Sequence, residues 1–266
     1  MTAIPYWHVD AFADRPFTGN QAAVMELEAW PEDAVLQAIG AENNFAETAF
    51  ILRNATDEAD WELRWFTPTS EVKMCGHATL ASGHVVLARD GGERVRFCTR
   101  DAGVLEVAKT AEGYGLSLPT SRGESCDVPG LIDALGVEGE VFDTVEGVEQ
   151  TSILLLADET AVRAAKPDMR ALEQIDRMAI CTARGDVADV VSRVFVPAWG
   201  VPEDSVTGSA HAALTPFWCE RLGRESFSAF QASERGGHMT CTRLGNRAIL
   251  SGQCVTVVEG RFYLEG

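Results

Sequence analysis

Short blocks of apolar residues, many alternating with polar ones, run along most of this chain. That two-residue period is the signature of strands with one face buried. The blocks predict strands over Ile4–Ala11, Ala22–Leu27, Phe45–Leu52, Trp61–Phe66, Arg94–Thr99, Val104–Lys109 and Tyr114–Leu118. In the second half they predict Val141–Val145, Thr151–Leu156, Met178–Thr182, Ser192–Pro197, Phe227–Ala232, Met239–Thr242, Arg247–Leu250 and Val255–Leu264. Helical spacing is rarer. Pro31-Glu32-Asp33 opens a helix to about Ala41, with proline in the first turn and acids behind it. Further helices are expected over Gly76–Arg89, Pro129–Leu135, Asp168–Arg177 and Gly208–Leu222, the last with Pro216 inside it, expected to remove a hydrogen bond and bend the axis. The polar, turn-rich stretch Leu118–Asp127 reads as a linker.

One pattern occurs twice. Phe66-Thr67-Pro68 leads through a loop to Cys75-Gly76-His77-Ala78, and Phe195-Val196-Pro197 leads through a longer loop to Thr207-Gly208-Ser209-Ala210. The helix starts Gly76 and Gly208 are 132 positions apart in a chain of 266 residues, about half its length. Such an echo predicts two similar lobes, placed at residues 1–118 and 119–266 with the last strand free to return to the N-terminal lobe. A helix start built from small residues presents unpaired N–H groups and the positive dipole end, so each is an anion cradle.

Composition narrows the partners. With 46% hydrophobic residues the chain can bury a large core. A net charge of −18 argues against nucleic acid and anionic membrane surfaces. The seven cysteines are scattered with no CxxC pair, so reduced thiols and a cytoplasmic setting are expected. No apolar run of membrane-spanning length occurs, and no Walker, GxGxxG, HExxH or GxSxG pattern.

Glu47 stands out chemically. It shares a strand face with Phe45, Ala49 and Ile51, and apolar neighbours are expected to raise its pKa toward the range useful for proton transfer. A strand-end glutamate reaching water or a basic partner is the competing reading. Cys75 just before a helix start is placed to favour a thiolate, or it is simply a small buried residue. His77 in the first turn is expected to be a neutral imidazole, because the dipole opposes its charge. Asp204 is a capping residue or a substrate contact, and Ser209 an anion donor or a helix-end support. His8 and Asp10 share a strand face but lack a third ligand at metal spacing. No metal and no cofactor are expected.

These motifs resemble the phenazine-biosynthesis PhzF-like family. The resemblance rests on His8-Val9-Asp10-Ala11-Phe12, Phe17-Thr18-Gly19-Asn20-Gln21-Ala22, Asn44-Phe45-Ala46-Glu47-Thr48-Ala49, Cys75-Gly76-His77-Ala78-Thr79 and Asp204-Ser205-Val206-Thr207-Gly208-Ser209. It implies an α+β, diaminopimelate-epimerase-like fold, in which two similar lobes each wrap a curved, barrel-like sheet around a central helix. It implies a cofactor-independent isomerase acting on a small carboxylate-bearing molecule, with Glu47 as general base and acid. Gly76, His77, Asp204, Gly208 and Ser209 are then substrate-binding residues, and the enzyme is expected as a homodimer. Epimerases of that fold use two cysteines; here Cys75 matches one and Thr207 replaces the other. A Cys75-dependent epimerase or racemase, and a carboxylate-binding protein without turnover, stay open as alternatives. The chain departs from the family in having Gln21 where proline is usual, expected to relax the adjoining loop, and in Pro216.

Overall fold

The computed structural model describes residues 2–145 and 150–264. The chain divides into two compact units, Met1–Ser117 with Ser251–Gly266, and Leu118–Leu250. The second lobe thus ends before the last strand, which belongs to the first.

In the first unit β1 (Thr2–Ala11) and β2 (Asn20–Leu27) form an antiparallel pair. Helix α1 (Asp33–Asn43) follows and stops at Asn44, whose left-handed φ of 52° suits asparagine better than most residues. The chain turns there and enters β3 (Glu47–Arg53), parallel to β2. β4 (Trp61–Phe66) pairs antiparallel with β3 and carries the two-residue β5 (Glu71–Val72) as a short hairpin arm. Helix α2 (Gly76–Asp90) comes next, then β6 (Arg94–Cys98) parallel to β4, β7 (Val104–Thr110) and β8 (Gly113–Pro119). The C-terminal strand Cys254–Leu264 pairs along the whole of β1 and completes the sheet.

α2 is the centre of this unit. Gly76 through Gly83 are all buried, as are Val85, Val86 and Leu87. A helix buried nearly all round must keep its girth small and satisfy its own hydroxyls. Ala78, Ala81 and Gly83 supply the small surface. Thr79 donates to the Cys75 carbonyl at 2.5 Å and Ser82 to Ala78 at 2.8 Å, so neither hydroxyl is stranded. Strands β1, β2, β3, β6 and β7 and the C-terminal strand all pack on α2. On the far side of the sheet α1 is sealed by Leu36, Ile39, Met25, Phe50 and Phe66. Each such side chain stabilises the fold by ~1.5–3 kcal/mol on burial.

The second unit repeats the plan. β9 (Arg122–Ser125) pairs with β10 (Glu140–Val145), and β10 with β11 (Thr151–Leu155). Two short helices, α3 (Leu131–Leu135) and α4 (Glu159–Ala164), flank these strands, followed by a single turn, α5 (Met169–Leu172). β12 (Met178–Arg184) lies parallel to β11, β13 (Val190–Val196) antiparallel to β12, and β14 (Val201–Asp204) is the short arm. Helix α6 (Gly208–Leu222) follows, then β15 (Ser226–Gln231) parallel to β13, β16 (Gly237–Leu244) and β17 (Arg247–Gly252). From β2 to β7 and from β11 to β16 the order of parallel and antiparallel pairings is the same.

Several expectations change. The stretch read as a linker contains β9, because Phe142 to Val145 offer it a partner strand. The helix expected over Asp168–Arg177 shrinks to α5, with Asp168 capping Arg170 and Ala171 through its Oδ1. α4, capped by Asp158 on Ala161, was too short for its period to register. Helix α6, by contrast, keeps its expected bounds Gly208–Leu222 with Pro216 inside it. Gln21 does not loosen a loop: it sits inside β2 opposite Asp10, with its amide 3.2 Å from His8 Nε2.

Gly83 gives a direct test of the packing around α2. A Cβ there would lie 2.4–2.8 Å from the side chain of Val107. Gly83→Ala is expected to lower unfolding stability by about 1–3 kcal/mol, measured by denaturant titration. Combining it with Val107→Ala should recover only part of the loss, since the two Cγ atoms go but the Val107 Cβ, 2.5 Å away, stays.

Candidate functional site

The first unit gathers four of the singled-out positions at the start of α2. Glu47 is the first residue of β3, Cys75 is the N-cap of α2, and Gly76 and His77 form its first turn. The register explains how Glu47 arrives there. Val9, Ala22 and Glu47 are neighbours across β1, β2 and β3, so they point to one side of the sheet, toward α2. His8 is one register place away, beside Ala23 and Thr48, and points to the other side. Phe45 precedes the strand and stacks on His8 with ring centroids 4.3 Å apart. It does not share the Glu47 face, because β3 begins only at Glu47.

The geometry is tight. Glu47 Oε2 lies 3.0 Å from His77 Nε2. The Cys75 thiol lies 3.6 Å from His77 Nδ1 and 4.0 Å from Nε2. Asn20 Nδ2 lies 3.1 Å from His77 Nδ1. Asn20 was not singled out from sequence, yet it is buried and directly orients the imidazole. Its placement depends on Gly19, whose φ is 67° and where a Cβ would fall 2.2 Å from the Ala11 carbonyl oxygen. Asp10 steadies the same loop by accepting the Phe17 N–H at 2.8 Å. The Gly19-Asn20 pair was therefore the available signal: a glycine that only glycine can fill, followed by a buried amide.

Glu47 Oε2 is buried but has no hydrogen-bond donor aligned on it. The 3.0 Å approach of His77 Nε2 is an ion-pair distance without the alignment a hydrogen bond needs.

Charge states follow from the packing. Burial alone would depress the pKa of His77; negative charge on Cys75 and then on Glu47, with the hydrogen bonds of both, raises it well above its ordinary range. Cys75 is itself pushed up to about 11, first by burial and then by the Glu47 carboxylate. At neutral pH Cys75 is therefore a thiol, and Glu47 is the negative group that then favours a proton on His77. The thiol matches the reading of Cys75 as a small buried residue, whereas the raised His77 runs against the neutral imidazole. The helix end favours a thiolate and a neutral imidazole by only ~0.3–1 kcal/mol. A charge pair at 3.0 Å is worth about 5 kcal/mol at an effective dielectric of 20 before desolvation, so the carboxylate decides.

Asp204, Gly208 and Ser209 belong to the second unit, at the matching helix start. Thr207 is the N-cap of α6, and its hydroxyl donates to Asp204 Oδ2 at 2.6 Å. Buried Gln231 clamps this turn, accepting the Thr207 N–H at 2.8 Å and donating to the Asp204 carbonyl at 2.7 Å. Ser209 is partly exposed in the first turn. His211 takes the place of Thr79, four residues after the N-cap, with Nδ1 2.8 Å from the Thr207 carbonyl. Burial pushes His211 down to about 4, so it is neutral and structural.

Strand register extends the internal echo to the carboxylate itself. Thr48 pairs with Phe66, and Ala179 pairs with Phe195, the two phenylalanines that open the repeated pattern. The residue before Thr48 is Glu47, and the residue before Ala179 is Met178. Glu47, Cys75 and His77 of the first unit thus correspond to Met178, Thr207 and Ser209 of the second. Only the first copy carries titratable groups at these places.

The family described as "Phenazine biosynthesis-like protein" matches residues 9–260. The chain belongs to this family. It is 44% identical over 265 residues to an uncharacterized isomerase of Pseudomonas aeruginosa, covering 98% of this chain and 99% of that one. The solved structure of a PhzF-family phenazine biosynthesis protein from Enterococcus faecalis superposes with a TM-score of 0.90 at 40% identity, covering 99% of this chain and 100% of that one. A hydroxyproline epimerase from Agrobacterium vitis shares the fold alone, with a TM-score of 0.64 at 12% identity over 97% of this chain and 92% of that one. The relatives bear the name isomerase, and this chain is an enzyme of their family with the epimerase-like α+β fold. No helix among the described residues is long and apolar enough to cross a membrane.

The two histidines give opposite pH signatures. His211 has a folded pKa of about 4 against an ordinary 6.5, so its unfolded form takes up a proton first as pH falls. Stability is full above that ordinary value and lost toward about 4. The loss is expected to be smaller in His211→Gln, read as the difference between the two denaturation curves. His77 is raised, so stability from its pairing with Glu47 is full below its ordinary value of 6.5 and lost as pH rises through the raised pKa. Glu47→Gln should remove that alkaline loss in the same measurement.

Proposed function

We propose that the protein is a cofactor-independent isomerase that moves a proton on a small carboxylate-bearing substrate, with Glu47 as general base and then general acid. The observation that carries this reading is Glu47 Oε2, buried, without an aligned donor, and 3.0 Å from a protonated imidazole. A lone pair with no donor on it is free to accept a proton from carbon. The C–H electron pair then forms a new double bond, the neighbouring π pair shifts along the conjugated system, and the distal carbon takes the proton back from the Glu47 carboxylic acid. One group serving in both directions suits such a shift.

The remaining residues have supporting roles. The imidazolium of His77 offsets negative charge that develops on the substrate. The first-turn N–H groups at Gly76 and His77 suit a substrate carboxylate, as do those at Gly208 and Ser209. Asp204 and Ser209 are assigned to substrate contact on the strength of the resemblance. Asn20 is a positioning residue that holds the imidazole. A cytoplasmic homodimer is the working form that the same resemblance carries.

The Cys75 epimerase reading is weaker. A second thiol is missing from the matching place, which is Thr207. A thiol with a pKa near 11 is also a poor base at neutral pH.

The test is solvent deuterium incorporation. The protein is incubated with a library of small carboxylates in D₂O, and products are compared by mass. Glu47→Gln is expected to abolish incorporation, a loss of at least ~100-fold for a positioned base, whereas Cys75→Ser should retain most of it. Incorporation that survives in Glu47→Gln would sink the proposal. Loss confined to Cys75→Ser would establish the epimerase instead, and ligand-induced stabilisation without any incorporation would establish a binding protein.

A further inference from the structure

Glu47, Cys75 and His77 offer a carboxylate oxygen, a sulfur and a ring nitrogen, all within 4.8 Å of one another. These are the three donor types that zinc takes in proteins. Cys75 and His77 are buried, and Glu47 at 17% side-chain exposure opens the cluster outward. Zinc distances of ~2.3 Å to sulfur and ~2.0–2.2 Å to nitrogen and oxygen put tetrahedral donor atoms about 3.3–3.6 Å apart. The observed separations are 3.0 Å for Nε2 to Oε2 and 4.0 Å for Sγ to Nε2. Side-chain shifts of a few tenths of an ångström would bring these two pairs to tetrahedral spacing, and the sulfur-to-carboxylate pair would have to close from within 4.8 Å.

Two further observations point to a ligand here. Glu47 Oε2 is buried with no aligned donor, so one donor position is already vacant of hydrogen. The Asn20 amide lies 3.1 Å from His77 Nδ1 through its Nδ2; turned so that its oxygen accepts the Nδ1–H, it leaves Nε2 as the coordinating nitrogen. An outer partner of this kind fixes the ring of a metal-bound histidine. The second unit, with Met178, Thr207 and Ser209 at the matching places, has no such set.

We infer that Glu47, Cys75 and His77 form an inhibitory site for a soft divalent cation of the Zn²⁺ class. On binding, the Cys75 S–H bond breaks, its proton passes to solvent, and the sulfur pair forms the S–metal bond. His77 gives up its Nε2 proton to solvent in the same way. Nothing is oxidised or reduced. The thiolate and carboxylate neutralise the cation, and the fourth position is left to water or a substrate carboxylate. The inhibitory part rests on the proposed role of Glu47, since the metal takes the oxygen lone pair that proton abstraction needs.

The test is titration of the metal-free protein with Co²⁺, read by absorbance. Saturation is expected at one equivalent, with visible bands of a tetrahedral ion and a near-ultraviolet thiolate-to-cobalt band, and Zn²⁺ should displace the colour. Cys75→Ser should lose the near-ultraviolet band. Asn20→Ala should keep it but bind ~10–100-fold more weakly, as an outer partner does. No thiolate band, or a band that persists in Cys75→Ser, would overturn the site. In the deuterium assay one equivalent of Zn²⁺ should suppress incorporation and a chelator restore it; incorporation unchanged by bound metal would overturn the inhibition. If metal-free protein incorporates no deuterium from any carboxylate tested, the isomerase proposal falls, while the cobalt spectrum still decides the site.

Discussion

A carboxylate and an imidazole face each other 3.0 Å apart at the first turn of a buried helix, and the local structure of the first unit depends on them. Burial alone would strip the His77 imidazole of its charge. Together they offset the burial of each other, and the balance determines what surrounds them. It keeps His77 protonated and Cys75 protonated, although a helix start would favour the opposite for both. It also demands an exact backbone. Gly19 must be glycine for Asn20 to reach the ring, and Asn44 must take a left-handed turn for β3 to begin at Glu47. The small girth of α2 then lets the sheet close on the pair.

The two units show how such a balance is confined to one place. Their strands, crossovers and central helices follow the same order, and even the back-bond to the N-cap carbonyl recurs, from Thr79 in one and His211 in the other. The scaffold tolerates two solutions at the same positions. One is the Glu47, Cys75 and His77 cluster. The other is Met178, Thr207 and Ser209, in which charge is absent and the turn is held by Gln231. Repetition therefore explains the architecture, and the departures from it mark the chemistry.

Much of this was legible in the residues because it is local. Apolar alternation located every long strand, and the repeated Phe-to-helix pattern located both central helices. Glu47, Cys75 and His77 were recognisable as unusual types in apolar or helix-start settings. What could not be read depends on partners distant in sequence. β9 is polar and forms only because β10 offers it an edge. The ionisation of Cys75 and His77 is set by a carboxylate about thirty residues earlier, which strand register alone brings near. Asn20 had no role until the fold set it against His77, and Met178 was only the start of a strand until register aligned it with Glu47. Phe45 was assigned to the wrong face because a strand start cannot be read to the residue.

The C-terminal strand has a consequence for synthesis. Cys254–Leu264 pairs along the full length of β1, so the unit that begins first is finished last. As the chain emerges from the ribosome, the second unit can assemble from contiguous sequence while β1 still presents an open edge. The nascent protein must keep that edge from pairing wrongly until some 250 residues have been made. The same arrangement ties the sheet that carries Glu47 to the last strand of the chain, so ribosomes that stop early release a first unit lacking its closing strand.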